Sequence, residues 1–224
     1  GTSNISDYFN LKNQNIVLAD ENLNLKEALQ KKNELLNIAV ENSLIDSIHF
    51  DKKYKYSKAK IESNNYNSTF NLLLINKGIK DGITSEMAVV NHKGIIGITE
   101  RVTSNYARVQ SILNKNSKIN AKLKNSNHFG TLEWDGKDYN TVQLTDIPRQ
   151  AIYKKGDTII TGGKSTIFPE GILIGTIIKS PETATASNTL DIQLFNDMSN
   201  LRHVYVIKNL HKKEIKSLEN PIIE

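Results

Sequence analysis

The sequence predicts a mostly β chain, an N-terminal coiled-coil helix followed by two small β-barrel domains. Three observations carry this. Residues 6–43 hold no proline or glycine and follow a seven-residue apolar repeat. Beyond residue 58 come about a dozen short β-branched segments punctuated by Gly, Asn and Asp. Two of those segments echo each other at a wide spacing.

The helix comes first in the chain, over 6–50. Tyr8, Asn15, Asn22, Leu29, Leu36 and Ser43 fall on one heptad series, and Leu11, Leu18, Leu25, Lys32 and Ala39 on a second three residues later. These are the a and d positions of a coiled coil, with Leu18, Leu25, Leu29 and Leu36 as the predicted dimer seam. Asn15, Asn22 and Lys32 interrupt it; polar a positions fix register at a cost in stability. The same pattern also suits an amphipathic helix lying on its own β-domain. The next residues, Asp51-Lys-Lys-Tyr-Lys-Tyr-Ser57, read as a charged link.

The strands predicted after it are 59–63, 69–76, 87–91, 95–102, 107–113, 119–124, 130–134, 141–145, 158–161, 172–179, 190–195 and 203–208. Leu190-Asp-Ile-Gln-Leu194 alternates cleanly, with one apolar and one polar face. The echo runs from Lys77-Gly78 through Met87–Val90 to Gly94-Ile-Ile-Gly97, and again from Lys155-Gly156-Asp157 through Ile159-Ile160 to Gly171-Ile-Leu-Ile-Gly175. It bounds a middle block and so favours one barrel inserted in another: 58–95 plus 162–208 as the first, 96–161 as the second. The alternative is two consecutive barrels, 58–125 and 126–208. Residues 209–224 read as a frayed, charged tail.

Composition bounds the function. The chain has 224 residues, no cysteine and five histidines, so thiolate chemistry is excluded and a zinc site would rest on histidine alone. No apolar run approaches the about 18 residues of a membrane helix. Gly1-Thr2-Ser3 reads as a cloning scar, with an upstream anchor removed. The +5 net charge suits anionic partners or plain scattered lysine.

Chemical motifs are sparse. Gly163-Lys164-Ser165 lacks the upstream glycine and following helix of a phosphate loop. A serine protease on a two-barrel body would need Ser165 with one of His49, His92, His128, His203 or His211, outside the Gly-Asp-Ser-Gly context such enzymes use. No histidine or acidic metal motif stands out, and no catalytic, cofactor or metal residue is assigned. Ile167-Phe168-Pro169 is either an exposed partner-binding corner or a turn whose Phe plugs a barrel end. Trp134 reads as core.

Several motifs in order resemble a known family: Phe70…Ile75…Gly78…Asp81-Gly82…Met87–Val90, Gly94–Gly97, Gly130-Thr-Leu-Glu-Trp-Asp-Gly-Lys-Asp-Tyr139, Ile147-Pro-Arg149, Gly156–Gly162, Phe168-Pro-Glu-Gly171 and Ile174-Gly175. Over nearly the whole chain this is similar to the MreC family of rod shape-determining proteins, with the 134–139 and 147–149 segments most like versions from Bacteroidetes. The chain departs from the family's frequent Thr-Ser-Gly at Thr161-Gly162-Gly163.

The resemblance implies the periplasmic part of a single-pass inner-membrane protein, its membrane helix lying upstream. It implies no enzyme and no cofactor, but a scaffold of the cell-elongation machinery. The implied partners are a second copy, higher self-assemblies, a class B penicillin-binding transpeptidase, MreD, MreB and RodA, and no nucleic acid. Barrel surfaces and strand edges would make the contacts, with Ile167, Phe168, Pro169 and Tyr139 as candidates for the self-association or partner surface. The rivals are an envelope protease or hydrolase and a basic nucleic-acid-binding β-domain.

Overall fold

The computed structural model describes residues 53–181 and 187–219, together with Leu25, Ala28, Leu29, Lys31 and Lys32. The chain divides into two compact units, Gly1–Phe50 and Asp51–Glu224. In the first, the five described residues are helical and exposed, Leu25 at 68% and Leu29 at 62%. The remainder of the heptad reading, with Leu18 and Leu36, lies outside the described residues.

Among its described residues the second unit holds twelve strands: β1 (Tyr54–Asn64), β2 (Phe70–Ile75), β3 (Ala88–Asn91), β4 (Gly94–Val102), β5 (Ala107–Asn114), β6 (Ile119–Leu123), β7 (Phe129–Glu133), β8 (Thr141–Pro148), β9 (Thr158–Thr161), β10 (Leu173–Lys179), β11 (Ser187–Leu194) and β12 (His203–Asn209). Each predicted strand is present. Two expectations at the ends change. The charged link already pairs, because Tyr54–Lys60 lies against β12. The tail reading gives way to a helix, α1 (Lys212–Glu219).

The strands close into two barrels in the orders β1-β12-β3-β4-β5-β2 and β10-β11-β8-β7-β6-β9. The predicted boundaries at 96 and 161 therefore move. β4 and β5 stay in the first barrel, paired to β3 and β2, while β10 and β11 belong to the second, paired to β9 and β8. The glycine echoes mark a hairpin within each barrel and not a domain border. Closure of β1 on β2 and of β9 on β10 also consumes the sheet edges expected as docking strips.

The two rings are the same ring with one strand moved. Aligning β3-β4-β5-β2-β1-β12 with β9-β10-β11-β8-β7-β6 reproduces every pairing. The strand that comes last in the first barrel comes first in the second. The turns before β3 and β9 match in detail. The amide of Gly78 donates to Asp81 Oδ2 at 3.0 Å and that of Lys154 to Asp157 Oδ2 at 2.9 Å. Each aspartate amide returns a bond to the first residue's carbonyl, at 3.0 and 3.1 Å. At the strand starts that follow, Gly97 and Gly175 lie so near a partner strand that a Cβ would stand 2.2 Å from the Gln110 carbonyl and 2.0 Å from that of Gln193.

Period-two burial fills each interior. Leu190 and Ile192 are fully buried while Asp191 and Gln193 are not. Ala59, Leu73, Ile75, Val109, Val204 and Val206 are buried in strands of the first barrel, and Ala121, Leu132, Val142, Leu144, Ile159 and Ile177 in strands of the second. Each aliphatic side chain of valine size or larger gains about 1.5–3 kcal/mol by burial.

The start of β4 is buried on both faces, Gly94 to Gly97, because the second barrel backs onto it. Asn196 Nδ2 donates to the Ile95 carbonyl at 3.1 Å. A Cβ on Gly94 would meet the Leu173 carbonyl at 2.2 Å.

Candidate functional site

The Gly-Phe-Pro corner sits in the β9–β10 connection, residues 162–172. The Thr161 hydroxyl donates to the Pro169 carbonyl at 2.6 Å and accepts the Ile172 amide at 2.9 Å. Asn120 grips the other side: its carbonyl accepts the Gly162 amide at 3.0 Å and its Oδ1 the Lys164 amide at 3.2 Å. Asn209, at the end of β12, donates to the Thr166 carbonyl at 3.2 Å and ties the loop to the first barrel.

Phe168 is 1% exposed and Pro169 is buried. Burial of both residues favours the turn reading of the corner, and the exposed contact is withdrawn for both. An aromatic ring without a polar atom is placed in the core by the same burial that holds the strands. Ile167 is half-buried. Tyr139 is 39% exposed and already engaged, edge-on to Tyr66 with centroids 5.4 Å apart. Trp134 is buried, its indole N–H donating to the Asp138 carbonyl at 2.9 Å.

The departure Gly162 also finds its reason here. A Cβ at this position would stand 2.2 Å from Asn120 Oδ1 and 2.8 Å from the Phe129 ring. Close approach, not a left-handed backbone, requires glycine. Beside it Lys164 Nζ lies 3.8 Å from the Phe129 centroid, a cation–π contact, and Lys122 pairs with Glu170.

The catalytic alternative gains nothing from this geometry. The Ser165 hydroxyl accepts the Ile167 amide at 3.0 Å and, among the described residues, bonds no imidazole. His49 lies outside the described residues. No cluster of three or more His, Cys, Asp or Glu that could hold a metal occurs among the described residues.

A concave surface that the sequence did not reveal lies at one end of the first barrel. It is a groove of about 790 Å³ lined by Ile79, Ile83, Val102, Arg101, Arg108 and Lys208, with Gly82, Thr84, Ser85 and Glu100 completing it. The β2–β3 loop builds one wall, its Ile79 and Lys80 amides anchored on the Thr103 and Ser104 carbonyls at 2.9 and 3.1 Å. Arg108 and Glu100 form a two-pronged pair at 3.1 and 3.0 Å. Next to the wall, Glu86 has a left-handed backbone, φ 57°. Its carboxylate takes Lys212 at 2.9 Å and Lys216 at 2.6 Å, fastening α1. Those bonds, that from Lys216 first, hold its carboxyl down at about 2. The sequence signal was the Gly78–Gly82 turn; the approach of Arg101 and Lys208 depends on pairing.

Against known proteins, residues 61–208 match the family model described as rod shape-determining protein MreC, barrel core. The chain is 30% identical over 203 residues to the cell shape-determining protein MreC of Listeria monocytogenes, covering 84% of this chain and 68% of that protein. A solved MreC structure from Listeria monocytogenes superposes with a TM-score of 0.63 at 28% identity, over 83% of this chain and 92% of that one. A structure described as a complex between penicillin-binding protein (PBP2) and MreC from Helicobacter pylori shares the fold, with a TM-score of 0.57 at 17% identity over 70% of this chain and 99% of the other. The matched span covers nearly all of both barrels, and the chain belongs to the MreC family of rod shape-determining proteins.

Proposed function

We propose that the chain is a non-enzymatic scaffold of the cell-elongation machinery. It controls cell shape by holding a class B penicillin-binding transpeptidase in place. The family match across both barrels carries this reading, and the relative described in complex with a penicillin-binding protein supports the choice of partner. The working location is the periplasm, with an upstream membrane helix as anchor. MreD, MreB and RodA are the further partners.

The N-terminal segment would set the distance from the membrane and join two copies along Leu18, Leu25, Leu29 and Leu36. Exposure of Leu25 and Leu29 in the single chain supports an apolar contact there. Of the corner residues, only Ile167 remains a contact candidate, and Tyr139, in the β7–β8 connection, is kept as a separate one.

The test is analytical ultracentrifugation of this chain across concentration, alone and with the periplasmic part of the transpeptidase, with Leu29→Lys in parallel. The expected result is a concentration-dependent dimer lost in Leu29→Lys and a separate transpeptidase complex. A monomer indifferent to Leu29 and to the transpeptidase would overturn the reading.

A further inference from the structure

We propose that the groove at the end of the first barrel is a docking site for an acidic, apolar segment of a partner protein. Arg101 and Lys208 would take the carboxylates, and Ile79, Ile83 and Val102 the apolar side chains. The inference rests on the scaffold reading only in taking the occupant to be a protein.

The charge around the groove is unbalanced in one direction. The acids on the neighbouring loop and strand are already engaged, Asp81 by Lys77, Glu100 by Arg108 and Glu86 by Lys212 and Lys216. Arg101 and Lys208 are exposed, and neither has a carboxylate within 4.0 Å among the described residues. The register of β1 on β12 sets Lys55 directly opposite Lys208. Like charges facing each other across strands destabilise a sheet, and an anion between them relieves that repulsion. Among the described residues Lys208 thus faces another lysine across the strands and, like Arg101 on the groove, has no carboxylate partner.

The shape selects among anions. Ile83 is buried in the floor at 2% exposure and Ile79 stands open at 62%. Gly82 contributes no side chain, and nothing lies within 4 Å of where its Cβ would be, so the rim is open there. A concave site with an apolar floor receives an inserted side chain, whereas a flat bilayer needs side chains that protrude. No aromatic residue lines the groove, so the stacking surface that single-stranded nucleic acid uses is missing. An extended peptide alternating acidic and aliphatic residues satisfies both the cations and the floor.

The probe is a fluorescein-labelled seven-residue peptide alternating Glu and Ile, with its Lys/Ile counterpart as control. Binding is read by anisotropy, and its location by methyl NMR of Ile79, Ile83 and Val102. We expect saturable binding of the acidic peptide alone, weakened by salt, with shifts at those three methyl groups. Arg101→Glu combined with Lys208→Glu should weaken it about tenfold or more, and Lys213→Glu on α1 should leave it unchanged. Arg101→Gln with Lys208→Gln serves if the reversed pair disturbs the amide spectrum.

Absence of saturable binding, shifts confined to other methyl groups, or an equal loss in Lys213→Glu would overturn the site. So would phosphatidylglycerol vesicles binding through Arg101 and Lys208 while the peptide does not. A transpeptidase complex that persists when the peptide fails sinks the groove alone. Loss of that complex in the unaltered chain sinks the scaffold reading.

Discussion

The β3–β4 hairpin of the first barrel and the β9–β10 hairpin of the second hold equivalent places in their rings, yet they are closed differently. In the first, Asn91 Oδ1 accepts the amides of Lys93 and Gly94 at 2.9 and 3.1 Å, and the chain turns at once. In the second, residues 162–172 intervene and bury Phe168. The strands that follow, β4 and β10, meet where Gly94 abuts Leu173. One architecture thus gives a plain turn where the barrels touch and a plugged loop that ties them together. Ring order is inherited by both copies, and connections carry the differences.

Removing the plug breaks this contrast most severely. Phe168→Ala should cost about 3–5 kcal/mol, read as a lower midpoint in denaturant. Amide exchange should loosen in β9 and β10 before β3 and β4. Equal loosening of both hairpins would mean that Phe168 serves the whole unit and not its own loop.

Gly94→Ala tests the seam between the hairpins. The added carbon would press on the Leu173 carbonyl at 2.2 Å with φ at 142°, for a cost of about 1–3 kcal/mol. The check is thermal unfolding, with the loss of the Asn196 side-chain amide resonance bonded to Ile95 as a local marker.

Gly162→Ser should destabilise by about 1 kcal/mol, because Asn120 Oδ1 occupies the space. Combined with Asn120→Gly the two changes should be non-additive in a double-mutant cycle. Additive losses would show that the crowding at Asn120 is not the cause.

The smallest effect concerns α1. The Glu86 carboxyl is lowered from 4.5 to about 2 by Lys216 and then Lys212. A depressed carboxylate stabilises the fold above its unfolded value, and that contribution fades as pH falls from about 4.5 toward about 2. The carboxylate is half exposed, so Glu86→Gln should cost under about 1 kcal/mol. Exchange of the α1 amides near pH 7 is the readout; in the variant their acid-induced loosening between those values should disappear.

Much of this molecule was legible beforehand. Alternation in Leu190–Leu194 and the Gly, Asn and Asp breaks located all twelve strands, because period-two burial is written residue by residue. The Lys-Gly echo marked two copies of one hairpin. The tail was misread because Lys212–Glu219 has no buried residue; it is fastened by Glu86, far away in sequence. The groove was illegible for the same reason, since Arg101 and Lys208 come from strands of distant sequence position.

The sequence by itself determined which segments become strands, the glycine-cornered hairpins and the membership of the family. Only the tertiary structure decided which barrel each strand joins, that one ring is the other with a strand moved, and that Phe168 faces inward. The reason is physical. A strand's pattern specifies which face is buried but not which neighbour takes its hydrogen bonds. That choice is made when β12 returns to lie between β1 and β3 and closes the first ring around its core.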